Sequence, residues 1–460
     1  MKSYFDLIDQ TFEFPTKEFK VSENQLYFHD VDLMSVIEKY GTPLRITYLP
    51  RISHNIQKAN KLFKEAIKKY KYDGNYTYCY CTKSSHFSFV LEECLKNGTH
   101  IETSSAYDIS ILRKLFSKGL ISKDTYIICN GFKRPLYTQN ITGLINDDFN
   151  CIPILDNLKE LDIYSASVNK PFEIGVRLAA DEEPNFEFYT SRLGIRYGDV
   201  ISYYKEKIAN HPHAQLKMLH YFINTGIRDS AYYWSELSRF INKYCELKKV
   251  APELDSIDIG GGFPIINSLQ FNFDYRYMVD QIVENIKWIC DKNHVPVPNI
   301  FTEFGSYTVG ESGATIYSVL GQKLQNDKEL WYMIDGSFIT HLPDVWGLNH
   351  KYIMLPVNKW KDKFHKVNIG GLTCDSMDYY NSEMHTSEVF LPQINGDTLY
   401  FGFFHTGAYQ ESLGGYGGIQ HCLIPAPKHV IIDRDSNGSI KSHLFAPEQD
   451  SEEMLKILGY

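Results

Sequence analysis

Three places in this chain put a chemically capable residue directly after an apolar run. Lys83 stands in Cys81-Thr82-Lys83-Ser84-Ser85, Gly260-Gly261-Gly262 follows Ile257-Asp258-Ile259, and Glu303 lies in Ile300-Phe301-Thr302-Glu303-Phe304. A lysine whose pKa is lowered by desolvation can form an imine with an aldehyde cofactor. A turn without Cβ atoms lets backbone N–H groups approach a phosphate. A carboxylate beside a pyridine nitrogen keeps that nitrogen protonated, which makes the ring an electron sink. Each also has an ordinary structural use: a solvated surface lysine, a tight turn, an ion-pair partner for Arg177.

Two later clusters share this double reading. Gly371-Leu372-Thr373-Cys374-Asp375-Ser376 sets a thiol beside a carboxylate, against a buried cysteine next to a turn-forming aspartate. Thr406-Gly407-Ala408-Tyr409-Gln410 puts a tyrosine in a loop, where its hydroxyl either binds phosphate or packs as one of 33 tyrosines. His211 and His213 flank Pro212 and read as a solvated turn rather than a metal site. No GxxxxGK[ST], HExxH or GxSxG pattern occurs.

The elements that must position these residues follow from patterning. Eight short runs, Tyr76–Cys81, His100–Ser105, Thr125–Gly131, Cys151–Asp156, Phe172–Leu178, Leu216–Phe222, Ser256–Gly262 and Ile300–Gly305, are near-continuously apolar, as parallel strands buried on both faces must be. Helical patterns lie between most of them, such as Ile109, Leu112, Leu115 and Phe116, closed by Gly119. Eight strand–helix units predict a (β/α)₈ barrel of TIM type, with a doubly wound sheet as the alternative. Catalytic groups in such a barrel come from the C-terminal strand ends, where Lys83, Asn130, Arg177, the stretch Phe222 to Thr225, Gly260–Gly262 and Glu303 fall.

The last 150 or so residues read differently. Strand-like runs at Glu329–Ile334, Lys351–Val357, Lys366–Gly370, Glu388–Pro392, Thr398–Phe404 and His429–Asp433, with almost no helix, predict an all-β domain. Asn395-Gly396 and Asn437-Gly438 are hairpin signals. Before the barrel the sequence predicts a helix over Leu33–Tyr40, a strand over Leu44–Tyr48, and an amphipathic helix with Ile52, Ile56, Ala59, Phe63, Ile67 and Tyr70 on one face.

Composition bounds the partners. Of 460 residues, 47 are Lys or Arg and 56 Asp or Glu, a formal charge of −9, which argues against nucleic acid but not against a cationic small molecule. Nine cysteines, an odd number without a CxxC, predict reduced thiols and a cytoplasmic setting. The N-terminal residues Met1 to Asp6 lack a signal-peptide core, and no run is long enough for a membrane span.

In order and together, these motifs resemble the pyridoxal-phosphate decarboxylases of basic amino acids that join an alanine-racemase-like barrel (fold type III) to a β domain. Ile128-Cys129-Asn130-Gly131-Phe132-Lys133, Ile227-Arg228-Asp229, Ser337-Phe338, Leu342-Pro343-Asp344-Val345-Trp346-Gly347, Leu355-Pro356, Thr373-Cys374-Asp375-Ser376 and Gly407-Ala408-Tyr409-Gln410-Glu411 look closest to biosynthetic arginine decarboxylases. The resemblance implies an N-terminal segment 1–48 contributing to the β domain, a pyridoxal-phosphate barrel over 49–310 and the β domain over 311–460. It implies decarboxylation of L-arginine to agmatine in polyamine and spermidine biosynthesis. Ornithine, lysine or diaminopimelate decarboxylation and a non-catalytic cofactor-binding homologue stay open as alternatives.

The same resemblance implies roles for residues. Lys83 holds the cofactor, Glu303 pairs with the pyridine nitrogen supported by Arg177, and Gly260, Gly261, Gly262 and Tyr409 hold the phosphate. Cys374 returns a proton, and Asp375 and Asp344 bind the distal cation of the substrate. A homodimer with shared active sites follows, with no metal. Three segments depart from the pattern. Glu303-Phe304-Gly305-Ser306 lacks the usual phosphate-binding arginine, Phe222-Ile223-Asn224-Thr225 replaces a stacking histidine while Thr225 keeps a hydroxyl, and Ser84-Ser85 follows the lysine.

Overall fold

Each of the eight apolar runs forms a strand in the computed structural model, which describes residues 4–8, 14–181, 190–384 and 386–460. Met1, Lys2 and Ser3 of the N-terminal stretch lie outside the described residues. The strands are β1 (Tyr76–Cys81), β2 (His100–Thr103), β3 (Ile127–Cys129), β4 (Cys151–Leu155), β5 (Phe172–Arg177), β6 (Ala214–His220), β7 (Ser256–Asp258) and β8 (Asn299–Phe304). Every neighbouring pair is parallel, and β8 pairs with β1, so the sheet closes into a barrel and the doubly wound alternative falls. Cys79, Ile128, Ile152, Ile154, Met218 and Phe301 fill its interior.

Seven of the eight runs end earlier than the apolar pattern does, two of them at glycine turns. Thr125–Gly131 narrows to β3 and Ser256–Gly262 to β7, because Gly131 (φ +82°), Gly260 (φ +68°) and Gly262 (φ +99°) leave the extended region. Those residues thereby leave the strand ladder for the rim loops. The outer helices are pinned locally: Ser105 accepts from the N–H of Asp108 while the Asp108 carboxylate accepts from that of Ser105, a reciprocal cap.

By contact density the chain divides into a barrel unit, Ser53–Pro264 with Phe273–Thr308, and a β unit, Met1–Ile52 with Ile265–Asn272 and Val309–Tyr460. The β unit is built on Gly313–Gln325, a 13-residue strand. It pairs antiparallel with Leu44–Tyr48, Glu329–Ile334 and Tyr400–Phe404. Leu44–Tyr48 also pairs in parallel with Lys428–Arg434, so one N-terminal strand joins two C-terminal ones.

The β unit corrects two expectations. Asn395-Gly396 does not close a hairpin, since Val389–Pro392 pairs with Phe364–Gly370 while Tyr400–Phe404 pairs elsewhere. Asn437-Gly438 does lie between paired strands, Lys428–Arg434 and Ile440–Ala446. Helix is also present: Phe338–His341, Pro343–Leu348 and Ser451–Leu458, the last capped by Asp450 and stopped by left-handed Gly459. Among the described residues no helix is long and apolar enough to cross a membrane.

A buried charged cluster knits the N-terminal segment into the β unit. The Glu18 carboxylate lies 2.9 Å from both His29 Nε2 and His405 Nε2, and His405 Nδ1 lies 2.6 Å from the Ile266 carbonyl. An imidazole between a carbonyl and a carboxylate donates from both nitrogens, so His405 is a cation. Burial opposes that charge, but Glu18 and Glu311 outweigh it and raise the His405 pKa above 6.5, while the histidines hold Glu18 well below the carboxylate range. The His405 contribution is therefore complete below its unfolded pKa and is lost as pH rises through the raised folded value. His405→Gln is expected to cost about 3 kcal/mol near pH 6, as expected for a broken buried pair. In thermal unfolding of the full chain, the gap between wild type and variant should narrow as pH rises.

Candidate active site

A continuous polar chain crosses the C-terminal rim of the barrel. Lys83 sits on a single 3₁₀ turn, Thr82–Ser84, immediately after β1, and its Nζ lies 2.6 Å from Glu102 Oε2 at the end of β2. Asn130, just past β3, donates from Nδ2 to Glu102 Oε1 (3.1 Å) and to Glu303 Oε1 (2.5 Å). Glu303 Oε2 lies 3.1 Å from His220 Nε2, the last residue of β6. Asp258, last in β7, accepts from the Gly260 N–H at 2.8 Å. Lys83 and Glu303, far apart in sequence, thus share one network through Glu102 and Asn130.

The charges in this network determine each other. Burial of Glu303 favours its neutral form, but His220, Lys83 and the Asn130 hydrogen bond outweigh it, and its pKa falls to about 2. Asp258 goes the opposite way: burial and the adjacent Glu303 charge raise its pKa well above the carboxylate range. Two close carboxylates therefore divide into one anion and one neutral acid. Arg177 ends β5 at 9% exposure, its guanidinium 5.9 Å from the centre of the Phe222 ring. Burial lowers its pKa, and among the described residues no carboxylate lies within ion-pair distance of it.

Two sequence expectations change here. Desolvation does not lower the Lys83 pKa. Burial acts in that direction, but the Glu102 and Glu303 carboxylates put negative charge around the amine and hold its pKa well above the usual lysine value. Nor is Glu303 paired directly with Arg177; His220 and Asn130 take that place. His220, Glu102 and Asp258 were missed because an apolar run draws attention to the residue after it. A charged residue inside a parallel strand is itself the signal, since such positions are buried on both faces.

The glycine turn is dictated by packing. A Cβ on Gly260 would lie 2.9 Å from the Tyr221 carbonyl, on Gly261 2.1 Å from the Glu303 carbonyl, and on Gly262 2.5 Å from Gly226 Cα. This lets the β7 end nest against the ends of β6 and β8, beside Thr225. Among the described residues no protein acceptor engages the Gly261 and Gly262 N–H groups. Those groups suit an anion. Gly305 has no room either, since its Cβ would meet Ser84 Oγ at 2.0 Å.

The rim holds a set of buried side-chain atoms with no partner: Ser84 Oγ, Asn130 Oδ1, Arg177 Nε, His220 Nδ1, Asn224 Oδ1 and Asp258 Oδ2. Unmet buried groups cost roughly 1–3 kcal/mol each, so this convergence fits a polar ligand. A lysine amine, an ionised buried carboxylate and free backbone donors suit the aldehyde, pyridine and phosphate parts of pyridoxal phosphate.

The remaining predicted residues belong to the β unit. The Cys374–Asp375 loop is organised by buried Asp378, whose carboxylate accepts from the N–H groups of Phe338 (2.7 Å) and Thr373 (3.1 Å) and from Thr373 Oγ1 (2.7 Å). Cys374 is exposed, and its Sγ lies 3.4 Å from Cys422 Sγ, whose contact pushes the Cys374 thiol pKa up. Asp375 Oδ1 accepts from the Met377 N–H, the turn-forming use. Asp344, in the first turn of Pro343–Leu348, accepts at Oδ2 from Gln410 Nε2 (2.7 Å). Tyr409 takes a left-handed backbone (φ +68°) beside it. The sequence reading missed Gln410, Asp378 and Cys422, all of which are contacts made across the fold.

A closed barrel with an amine and an ionised carboxylate joined across its rim fits a pyridoxal-type enzyme of the barrel-plus-β-domain class. Comparison with known proteins extends this. The profile of the pyridoxal-dependent decarboxylase, pyridoxal binding domain, matches residues 53–310. More than half of the chain is covered, and the chain belongs to the pyridoxal-dependent decarboxylases, with pyridoxal phosphate as cofactor. The biosynthetic arginine decarboxylase of Prochlorococcus marinus strain MIT 9215 is 22% identical, over 94% of this chain and 85% of its own length. Arginine decarboxylase 1, chloroplastic, of Arabidopsis thaliana is 21% identical over 95% of this chain and 78% of its own. The crystal structure of the biosynthetic arginine decarboxylase of Campylobacter jejuni shares the fold with a TM-score of 0.82 at 19% identity, covering 97% of this chain and 89% of that one. Diaminopimelate decarboxylase from M. jannaschii also shares it, with a TM-score of 0.80 at 17% identity, covering 96% and 97%.

Two substitutions probe the site. Gly261→Ala meets only a spatial obstacle, because this backbone lies outside the left-handed region; the clash displaces Glu303, and cofactor affinity should fall by about tenfold or more, corresponding to roughly 1.4 kcal/mol of misplaced contacts. Glu102→Gln removes one anion holding the Lys83 proton. The pH midpoint for cofactor capture, followed by absorbance, should then move down, and an unchanged midpoint would show that Glu102 does not set the charge on Lys83.

Proposed function

We propose that this chain decarboxylates L-arginine at its α-carbon, yielding agmatine and carbon dioxide for polyamine biosynthesis. It does so in the cytoplasm as a homodimer with shared active sites. The observation that carries the reading is the hydrogen-bonded network that joins the half-exposed Lys83, through buried Glu102 and Asn130, to buried Glu303. An amine and an ionised carboxylate on one rim are the two groups that the aldehyde and the ring nitrogen of a pyridoxal cofactor need. Relatives named arginine decarboxylases, aligned over nearly all of this chain, support the substrate, as does the Pro343-Asp344-Val345-Trp346 segment.

When bound, pyridoxal phosphate supplies the electron sink for the bonding pair left as carbon dioxide departs. Lys83 Nζ would be the attachment point, for which it must give up its proton and its contact with Glu102. Glu303, kept ionised by His220 and Asn130, would hold a proton on the ring nitrogen. Phe222, with Arg177 over its ring, would offer an aromatic face to the cofactor. Thr225, Gly260–Gly262 and Tyr409 would hold the phosphate. Cys374 Sγ returns a proton to the substrate Cα. With Oδ2 of Asp344 and Oδ1 of Asp375 engaged internally, each aspartate offers its other oxygen to the guanidinium. Buried, unbridged cysteines suit a reducing compartment.

Carbon dioxide release from arginine, ornithine, lysine and diaminopimelate by the cofactor-loaded protein tests this. Arginine is expected to give the highest kcat/KM. If none reacts while a Lys83-dependent cofactor absorbance is present, the protein is a non-catalytic cofactor binder and the reading fails. Cys374→Ala should lower kcat by about 100-fold or more, the usual scale for a lost proton donor. Mixing Lys83→Ala with Cys374→Ala protein should raise activity above that of either alone if sites are shared between subunits.

A further inference from the structure

Beside the thiol assigned as proton donor, the β unit gathers two more soft ligands. Cys374 Sγ lies 3.4 Å from Cys422 Sγ, and Cys422 Sγ lies 3.6 Å from His421 Nε2. All three ligand atoms lie within 4.8 Å of one another, and all three residues are exposed. Cys374 and the His421–Cys422 pair come from separate loops, 48 residues apart at the two cysteines. Cys422 takes a left-handed backbone (φ +55°, ψ +21°), which brings its Sγ beside its neighbour's ring.

The two shortest separations, 3.4 and 3.6 Å, lie near those that a single ion imposes. Zinc bonds of about 2.3 Å to sulfur and about 2.0 Å to nitrogen in tetrahedral geometry place two sulfurs roughly 3.8 Å apart, and a sulfur and a nitrogen roughly 3.5 Å apart. Three protein ligands leave the fourth position to water. The thiolate-rich set selects zinc over magnesium or calcium, which take oxygen ligands. Other uses fit less well. A structural pairing of exposed thiols does not need the histidine, and the second cluster of ligand atoms, His220, Asp258 and Glu303, is buried in the site already described.

We propose that Cys374, His421 and Cys422 form a zinc site that sequesters the Cys374 thiol. On binding, each thiol loses its proton to solvent as its sulfur–zinc bond forms, and His421 binds through neutral Nε2. No electrons are transferred and two protons are released per ion. The site stands on its ligand geometry alone; its effect on turnover rests on the role proposed for Cys374.

The cofactor-loaded full-length protein, stripped of metal, is titrated with Co²⁺ and then Zn²⁺. One equivalent of Co²⁺ per chain should produce thiolate-to-metal absorption in the near ultraviolet, which Zn²⁺ abolishes by displacement. Cys422→Ser should lower affinity by about 100-fold, one ligand's share of a structural zinc site. His421→Ala should weaken it while retaining the thiolate band. Absence of that band in the wild type, or an unchanged affinity in Cys422→Ser, overturns the site. Decarboxylation is assayed in parallel, each protein relative to itself without metal. Loss of activity with one equivalent of zinc, reversed by chelator and relieved in Cys422→Ser, supports sequestration. Thiolate binding without inhibition overturns sequestration and removes Cys374 from the proposed chemistry, while the metal site stands.

Discussion

Glu303 carries a full negative charge inside a barrel wall, and the rim is organised around keeping it charged. An unpaired carboxylate at 6% exposure would take up a proton. Here His220 and Asn130 occupy its two oxygens, Lys83 adds positive charge, and Asp258 stays neutral so as not to compete. Six of the eight strands send a residue into that arrangement, counting Lys83 and Asn130 as the extensions of β1 and β3. Barrel closure is what makes it possible: only a cylinder brings the ends of β1 and β8 beside those of β2 and β3. The glycine turn serves the same end, because the Glu303 carbonyl occupies the space a Gly261 side chain would need.

Much of this was legible in the sequence, and the physical reason is the same throughout. Parallel strands buried on both faces announce themselves as apolar runs, so all eight barrel strands could be found, and with them Lys83, Arg177 and Glu303 at their ends. What could not be read was pairing across the fold. Glu102 and His220 look like interruptions of a strand until the barrel sets them against Lys83 and Glu303. Cys422 sits in a stretch with no periodicity, and only folding brings it to Cys374. The lowered Lys83 pKa was a reasonable expectation from burial alone; it failed because charge from Glu102 and Glu303 exceeds the desolvation penalty.

The β unit was harder for a related reason. Gly313–Gln325 begins Gly-Ala-Thr-Ile-Tyr-Ser, small and polar enough to hide a strand whose first seven residues are all buried. Its neighbours determine its state more than its own composition does. The Asn395-Gly396 signal was locally sound, since Gly396 does take a positive φ, yet the flanking strands pair with other partners. Turn chemistry specifies a bend. It does not specify what the chain meets after bending.

The position of Leu44–Tyr48 has a consequence for how the molecule is made. Its two neighbours in the sheet are Gly313–Gln325 and Lys428–Arg434, so a chain emerging from its N-terminus carries this strand unpaired through synthesis of the whole barrel. The barrel's ladder is complete by Phe304, before either partner exists. Leu44, Ile46 and their bare backbone edges must therefore persist in a half-made chain, a template for adventitious strand pairing. The sheet around Leu44–Tyr48 is completed only once Lys428–Arg434 has been made, so its assembly follows that of the barrel.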